Sequence, residues 1–351
     1  MTRWLQRLPL PVRTAARAGP QSGVALLAAM LTVTLVASFA AAALWQQWRS
    51  VEVESAERAR VQAAWVLTGA LDWARLILRE DARAGGADHL AEPWAVPLNE
   101  ARLSSFLAVD KNASDTEREA FLSGQISDLQ GRLNVANLIE GKVVSETGLA
   151  SFSRLFGILG LPPQQLNALA SNLLEASQSG TQSTGQSGSP TLAQPTPATS
   201  LTPLTPLMPQ RVDQLVWLGL SPASLAVLTP YITLLPTRTP VNINTAKAEV
   251  LYASSPDLEM AGARKLVSAR ERSHFRTLSE ANKLIRDTGG PFVEGQHAVA
   301  SRFFEVRGRL RLDQTVVQER SVLQRDGLTV RTLWRDRGVV ADGPVGEAGR
   351  P

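Results

Sequence analysis

The chain has 351 residues, a formal charge of +4 and no cysteine. The missing cysteine excludes disulfides and thiolate metal sites, and the length suffices for two modest domains plus a membrane anchor. The positive balance is no argument for nucleic acid: four of the 36 Lys/Arg fall in the first 23 residues, leaving 32 against 32 Asp/Glu.

Residues 1–23 carry Arg3, Arg7, Arg13 and Arg17 and no acid. Val24–Leu44 follows without one charge. At about 1.5 Å per residue this run spans a hydrocarbon core of roughly 30 Å. Its polar side chains, Thr32, Thr34 and Ser38, can bond back to the helix's own carbonyls. The basic flank predicts an N-terminus in the cytoplasm and the remainder outside. A cleaved secretory signal competes with this reading, but its apolar region runs about 7–15 residues and ends at a small-residue site. Here the run is longer and passes without a turn signal into an amphipathic stretch, so the helix is expected to stay in the mature protein.

Trp45–Arg83 continues as helix, with Ala64, Leu67, Leu71, Ala74 and Leu78 on one face. Glu54 and Arg58 can pair on the exposed side, and Trp45 and Trp48 stand where interface anchors would. Gly85-Gly86 ends the helix. Glu92 to Asn99 reads as loop. In Ala120–Leu138 the turn signal Asp128-Leu129-Gln130-Gly131 predicts two short strands. Ser151–Ser177 is helical, with a Pro162-Pro163 start before Gln164. Gln178–Gln210 is Ser/Thr/Gly/Gln/Pro-rich and cannot bury enough apolar surface to order itself.

Helical spacing resumes at Arg211–Thr229, where Ser221-Pro222 opens a second helix. Tyr231–Pro236 is strand-like. In Pro240–Leu251, Asn244 is the expected N-cap of a helix from Thr245. Ala261–Arg272 and Ser279–Arg286 are further short helices. Ala300–Val340 alternates apolar and polar residues, predicting three or four antiparallel strands with a hairpin at Asp326-Gly327. Ala341–Pro351 reads as a frayed tail.

No phosphate loop, HExxH or GxSxG pattern occurs, so the chain is not expected to be an enzyme. His89, His274 and His297 are isolated in sequence and read as surface residues. Asp110–Glu119 is acidic but lacks the glycine and spacing of a calcium loop, and reads as a solvated helix start.

The junction Gly23-Val24-Ala25-Leu26-Leu27, after a basic leader, resembles the type IV prepilin cleavage site, which implies cutting after Gly23. Most pilins and pseudopilins carry Glu at the fifth mature position, where this chain has Ala28. That departure, with Asp128–Leu138, Pro230–Leu235, Pro240–Leu251 and Ser301–Val306 in this order, resembles the minor pseudopilin K family of type II secretion systems. The resemblance implies an α+β fold: an N-terminal transmembrane and spine helix, a pilin-like antiparallel sheet, and an inserted all-α domain. The expected divisions are leader 1–23, transmembrane helix 24–44, spine and early strands 45–138, inserted helices 139–298 with the 178–210 loop, late strands 299–340 and tail 341–351. It also implies a single-pass protein of the bacterial inner membrane, with its globular part periplasmic, at the tip of the pseudopilus, nucleating or capping assembly for export across the outer membrane. The partners implied are the I, J and H minor pseudopilins, prepilin peptidase, and further afield secreted cargo and secretin. Family members carry carboxylates in the insert where calcium would sit. Here no Asp or Glu lies between Ser177 and Gln210, so no calcium site is carried over and no cofactor is expected.

The alternative is a periplasmic helix-hairpin-helix protein of a DNA-uptake system, because Pro240–Ala246 resembles the start of that module. Its phosphate-facing glycines are missing, however, and Asp257 and Glu259 would repel phosphate. Nucleic acid is therefore not expected as a partner.

Overall fold

The computed structural model describes residues 22–103, 120–182, 206–286, 290–312 and 315–340. The leader up to Gln21, the acidic stretch Asp110–Glu119, most of the low-complexity segment and the tail Ala341–Pro351 lie outside these. The chain forms two units, Met1–Val61 and Gln62–Pro351.

The first unit is the start of α1, a continuous helix over Ser22–Ala84. Every residue from Gly23 to Leu44 is exposed, and the segment is apolar and long enough to cross a membrane. The hydroxyls of Thr32, Thr34 and Ser38 donate to the carbonyls of Ala29, Leu31 and Thr34 at 2.7–2.9 Å. These polar groups thus cost nothing in lipid. The rings of Trp45 and Trp48 lie 5.4 Å apart, at the level where the charges begin.

In the second unit, the rest of α1 packs on one face of an antiparallel sheet. Its strands are β1 (Leu98–Arg102), β2 (Ala120–Asp128), β9 (Phe303–Leu312), β10 (Thr315–Asp326) and β11 (Thr329–Val340), paired in the order β1-β2-β9-β10-β11. The predicted helix face is the buried one, except that Ala63 and not Ala64 occupies its first position. Leu67 meets Leu122, Leu310 and Val317, while Leu71, Ala74 and Leu78 meet Ile126, Phe304, Leu323 and Val330. Gly85 and Gly86 end the helix with φ of 68° and 120°, conformations that cost glycine little. The predicted loop over 92–99 is shorter than expected, since β1 begins at Leu98. It also buries Trp94, whose ring meets Phe304 edge-on at 5.3 Å. Asp326-Gly327 makes the β10–β11 turn with Gly327 at φ 57°.

Everything between β2 and β9 is the insert. It begins at Leu129, ten residues before the boundary expected from sequence, because β2 runs unbroken to Asp128 and the turn signal belongs to a 3-10 turn at Leu129–Gly131. Short strands β3 (Leu133–Asn134), β4 (Ile139–Glu140) and β5 (Val143–Val144) follow. The single helix expected over 151–177 is two, α2 (Glu146–Ile158) and α3 (Pro163–Gln182). They are separated where Gly160 turns at φ 65° ahead of Pro162. The helix α3 therefore runs into the segment read as loop. After a 3-10 turn at Val212–Leu218 come α4 (Pro222–Leu228, capped by Ser221), β6 (Ile232–Thr233) and β7 (Val241–Asn242). The last elements are α5 (Ala248–Ser254), α6 (Met260–Arg272), α7 (Leu278–Ile285) and β8 (His297–Ala298), which pairs parallel with β7. One apolar core joins these elements, and Leu215 and Leu251 are fully buried in it.

Candidate assembly site

Gly23, Val24 and Ala28 lie in the first turns of α1 and are exposed. The space around Gly23 is open. No charge occurs between Gly23 and Leu44, so nothing on this stretch can neutralise an amine in lipid.

The remaining motifs converge on the joint between insert and sheet. Asp128 ends β2 with its carboxylate buried. It accepts from Gln130 N (2.7 Å), Asn242 Nδ2 (3.0 Å), Thr245 Oγ1 (2.6 Å) and Ser301 Oγ (2.6 Å). Burial pushes its carboxyl upward, and the donors pull the other way. Gln130 bridges the same parts, donating to Pro240 O and accepting from Arg302 N. Asn134 accepts from Leu235 N and donates to Thr237 O, and Asn137 exchanges both its groups with the backbone of Thr239. The two asparagines thus bind backbone, as their place in turns predicts.

Asn244 departs from its expected role. Its amide exchanges two hydrogen bonds with the backbone of Phe275, both 2.9 Å. The helix it was expected to cap begins at Ala248, behind Lys247. An Asn before a helical run fits an N-cap in sequence; only the long-range partner reveals a brace.

Below the joint, Arg325 donates to Asp81 (2.5 Å) and to both oxygens of Asp88 (2.6 and 2.7 Å). Burial pushes Asp88 up to about 6 against the pull of Arg325. The alternation along β10 could have shown Arg325 facing inward with Leu323, whereas its partners, hundreds of positions away, left no sequence signal. Asp81, Asp88 and Glu92 together could suggest a cation site. The fit fails, because Arg325 already neutralises the aspartates and Glu92 accepts from Trp94 Nε1 and His89 N. Calcium has no suitable donor set there.

The histidines are not the isolated surface residues expected. His89 and His274 stack at 3.7 Å, 11° from parallel. His297 is buried, its Nε2 within 3.1 Å of Ser254 Oγ and Ser255 Oγ. Burial lowers its pKa to about 4.

The α5–α6 turn exposes Pro256, Asp257 and Glu259. Its carbonyls are occupied: Arg154 of α2 donates to those of Tyr252, Pro256 and Leu258, and Arg286 to that of Asp257. This hairpin is braced from inside and acidic outside, the reverse of a phosphate cradle.

Residues 131–237 and 241–299 match the two models of the family described as Type II secretion system (T2SS), protein K. The chain is 28% identical over 327 residues to type II secretion system protein K of Pseudomonas aeruginosa, covering 91% of this chain and 93% of that protein. It is 26% identical over 338 residues to its counterpart from Klebsiella pneumoniae, covering 92% and 98%. The crystal structure of the GspK–GspI–GspJ complex from the enterotoxigenic Escherichia coli type 2 secretion system contains a chain of like fold. It matches with TM-score 0.55 and 16% identity, covering 81% of this chain and 98% of that one.

Proposed function

The chain belongs to the type II secretion system protein K family and is a minor pseudopilin of that system, and on this premise we propose that it is the subunit at the tip of the pseudopilus. There it nucleates and caps assembly for protein export across the outer membrane, with a structural and not a catalytic role. The observation that carries this reading is Ala28 within residues 23–44 of α1, a stretch that is charge-free and exposed throughout. A subunit stacked above would bury an N-terminal amine in lipid with no carboxylate to meet it, which is costly. The block at 129–302, held to the sheet by Asp128, Asn242 and Arg325, adds bulk that a subunit stacked above would have to clear.

Prepilin peptidase then cuts after Gly23, leaving Val24 as the new N-terminus of a single-pass inner-membrane protein with its globular unit in the periplasm. The I-type and J-type minor pseudopilins are the partners, supported by the complex in which the E. coli structural relative occurs. N-terminal sequencing of the membrane-purified protein tests the first step: it should begin at Val24, and a start at Met1 or within 40–44 contradicts it. Co-purification with tagged I- and J-type subunits tests the second. It should survive Ala28→Val and fail when the 24–44 helix is removed.

The DNA-uptake reading is not favoured. The acidic face and internal bracing of the α5–α6 turn oppose it.

A further inference from the structure

His89 and His274 come from opposite sides of the joint. His89 follows Asp88 in the stretch between α1 and β1, and His274 lies between α6 and α7 of the insert. Their stacked rings direct the nitrogen lone pairs sideways, so the pair is no chelate for a metal ion. Nδ1 of His89 accepts from Ala91 N at 3.2 Å, the arrangement of a neutral ring. A proton there would set one N–H against another, and protonating both rings would place two cations 3.7 Å apart.

The charged groups around the pair sharpen its response. From α1, Asp81 attracts a proton to His89, but Arg325 of β10 already holds that carboxylate at 2.5 Å. In the same stretch as His89, burial pushes Asp88 up to about 6 and Glu92 to about 7. On the insert side, the neighbours of His274 in sequence are Arg272 and Arg276, both exposed. Burial and the charge of His274 hold His89 below the ordinary 6.5. Falling pH therefore discharges two carboxyls before it charges His89, so cations gather as anions are lost. Asp88 is itself a tie of the joint: its N–H donates to Val299 O (2.8 Å), and its carboxylate accepts from Ser301 N (2.6 Å).

We propose that the His89–His274 pair is an acid-sensitive latch between insert and sheet. With both rings neutral it holds the α6–α7 connection against the stretch after α1; with both protonated that contact parts. The open arrangement takes up protons more readily than the closed one, so acid favours opening and neutral pH favours closure. The loop bearing His274 stays with the insert, because Asn244 grips the backbone of Phe275 from inside. The inference goes beyond tip assembly and does not depend on it.

The test uses the full-length chain in detergent. The chain has no cysteine, so Ala84→Cys on α1 and Ser268→Cys on α6, both at exposed positions, can carry a pair of spin labels. The distance between the labels should be narrowly distributed at about pH 7.5 and longer or broader at about pH 5. His274→Phe keeps an aromatic ring in the stack but removes its charge, and a cation over a neutral ring is attracted. In that background the distance in acid should match the neutral one. Ring-proton NMR gives a second readout, with 3 histidines to assign. The His89 midpoint should rise by about half a pH unit in His274→Phe, where no second imidazolium opposes it. An unchanged distance in acid, opening that persists in His274→Phe, or a His89 midpoint unmoved by that substitution would overturn the proposal.

Discussion

The insert and the sheet treat buried polar groups in opposite ways. Inside the insert they are neutral amides, hydroxyls and one imidazole, such as Asn134, Asn244, Ser254 and His297, and most bind backbone. In the sheet and beside it the largest are charged. Glu305 is gripped by Arg307 and Arg320, Glu319 by Arg335 and Arg337, and Asp88 by Arg325. The insert thus relies on packing and exact backbone partners, while the sheet relies on charges that must stay matched, since a lone buried charge is far more costly than a lost contact. The two regions should therefore fail under different perturbations.

The largest effect is expected from Leu215→Asp or Leu251→Asp, each placing a carboxylate in the insert's apolar core at a cost of roughly 4 kcal/mol or more. Thermal melting of the purified chain should show a large fall. An unchanged melt would mean that the insert's core is not a single cooperative body.

Next comes Arg325→Met, which strands Asp88 and Asp81 and should cost about 3–4 kcal/mol near neutral pH. Because Asp88 already sits near pH 6 with Arg325 present, the variant should recover part of its loss in mild acid as that carboxyl takes up a proton. A deficit equal at pH 5 and pH 8 would refute the charge explanation.

His297 gives a smaller, oppositely signed effect. Its folded pKa of about 4 lies below the ordinary 6.5, so the unfolded chain binds the proton first. Stability should fall as pH drops from 6.5 and level off below 4, by about 3 kcal/mol at most. A His297→Gln variant melted across this range should lose the slope; retention of the full slope would assign it to other groups.

The smallest effect is expected from joining Gln182 to Pro206 by a short Gly/Ser bridge. Loop-closure cost grows with the logarithm of length, so the change should be near 0.6 kcal/mol. A much lower melt would show that the segment packs.

The parts of this molecule that sequence revealed are those set by local periodicity. The α1 face, the Gly85-Gly86 stop, the Ser221 cap, the Asp326-Gly327 hairpin and the insert core around Leu215 and Leu251 all follow from spacing along the chain. What sequence hid depends on partners brought together by the fold. Asn244 looks like a cap until Phe275 is beside it, and His89 looks solitary until His274 stacks on it. The end of β2 was masked for a related reason: Asp128-Leu129-Gln130-Gly131 is a real turn signal, but it closes a nine-residue strand and does not divide two short ones. Gly23, Val24 and Ala28 were singled out from the pattern along one apolar helix, and the cleavage and assembly roles given to them remain proposals. The Asp128–Asn242–Ser301 joint was visible only as separate motifs.

One feature of the topology bears on the order of events in the cell. β2 and β9 are hydrogen-bonded neighbours, with Asp128 opposite Phe304, yet all of 129–302 is strung between them. Because the chain is synthesised from its N-terminus, the entire insert must be made before β2 can meet β9. Local contacts form faster than distant ones, so the helical block is expected to close while α1 and β2 still wait with their apolar faces uncovered. Pulse-labelling hydrogen exchange during refolding would show amides of α2, α3 and α5 protected before those of Leu122–Ile126. Simultaneous protection would mean that sheet and insert condense together. If the insert does close first, the subunit is vulnerable until β9–β11 arrive, and truncation near its C-terminus should be more harmful than the position of those residues, far from the membrane segment in sequence, would suggest.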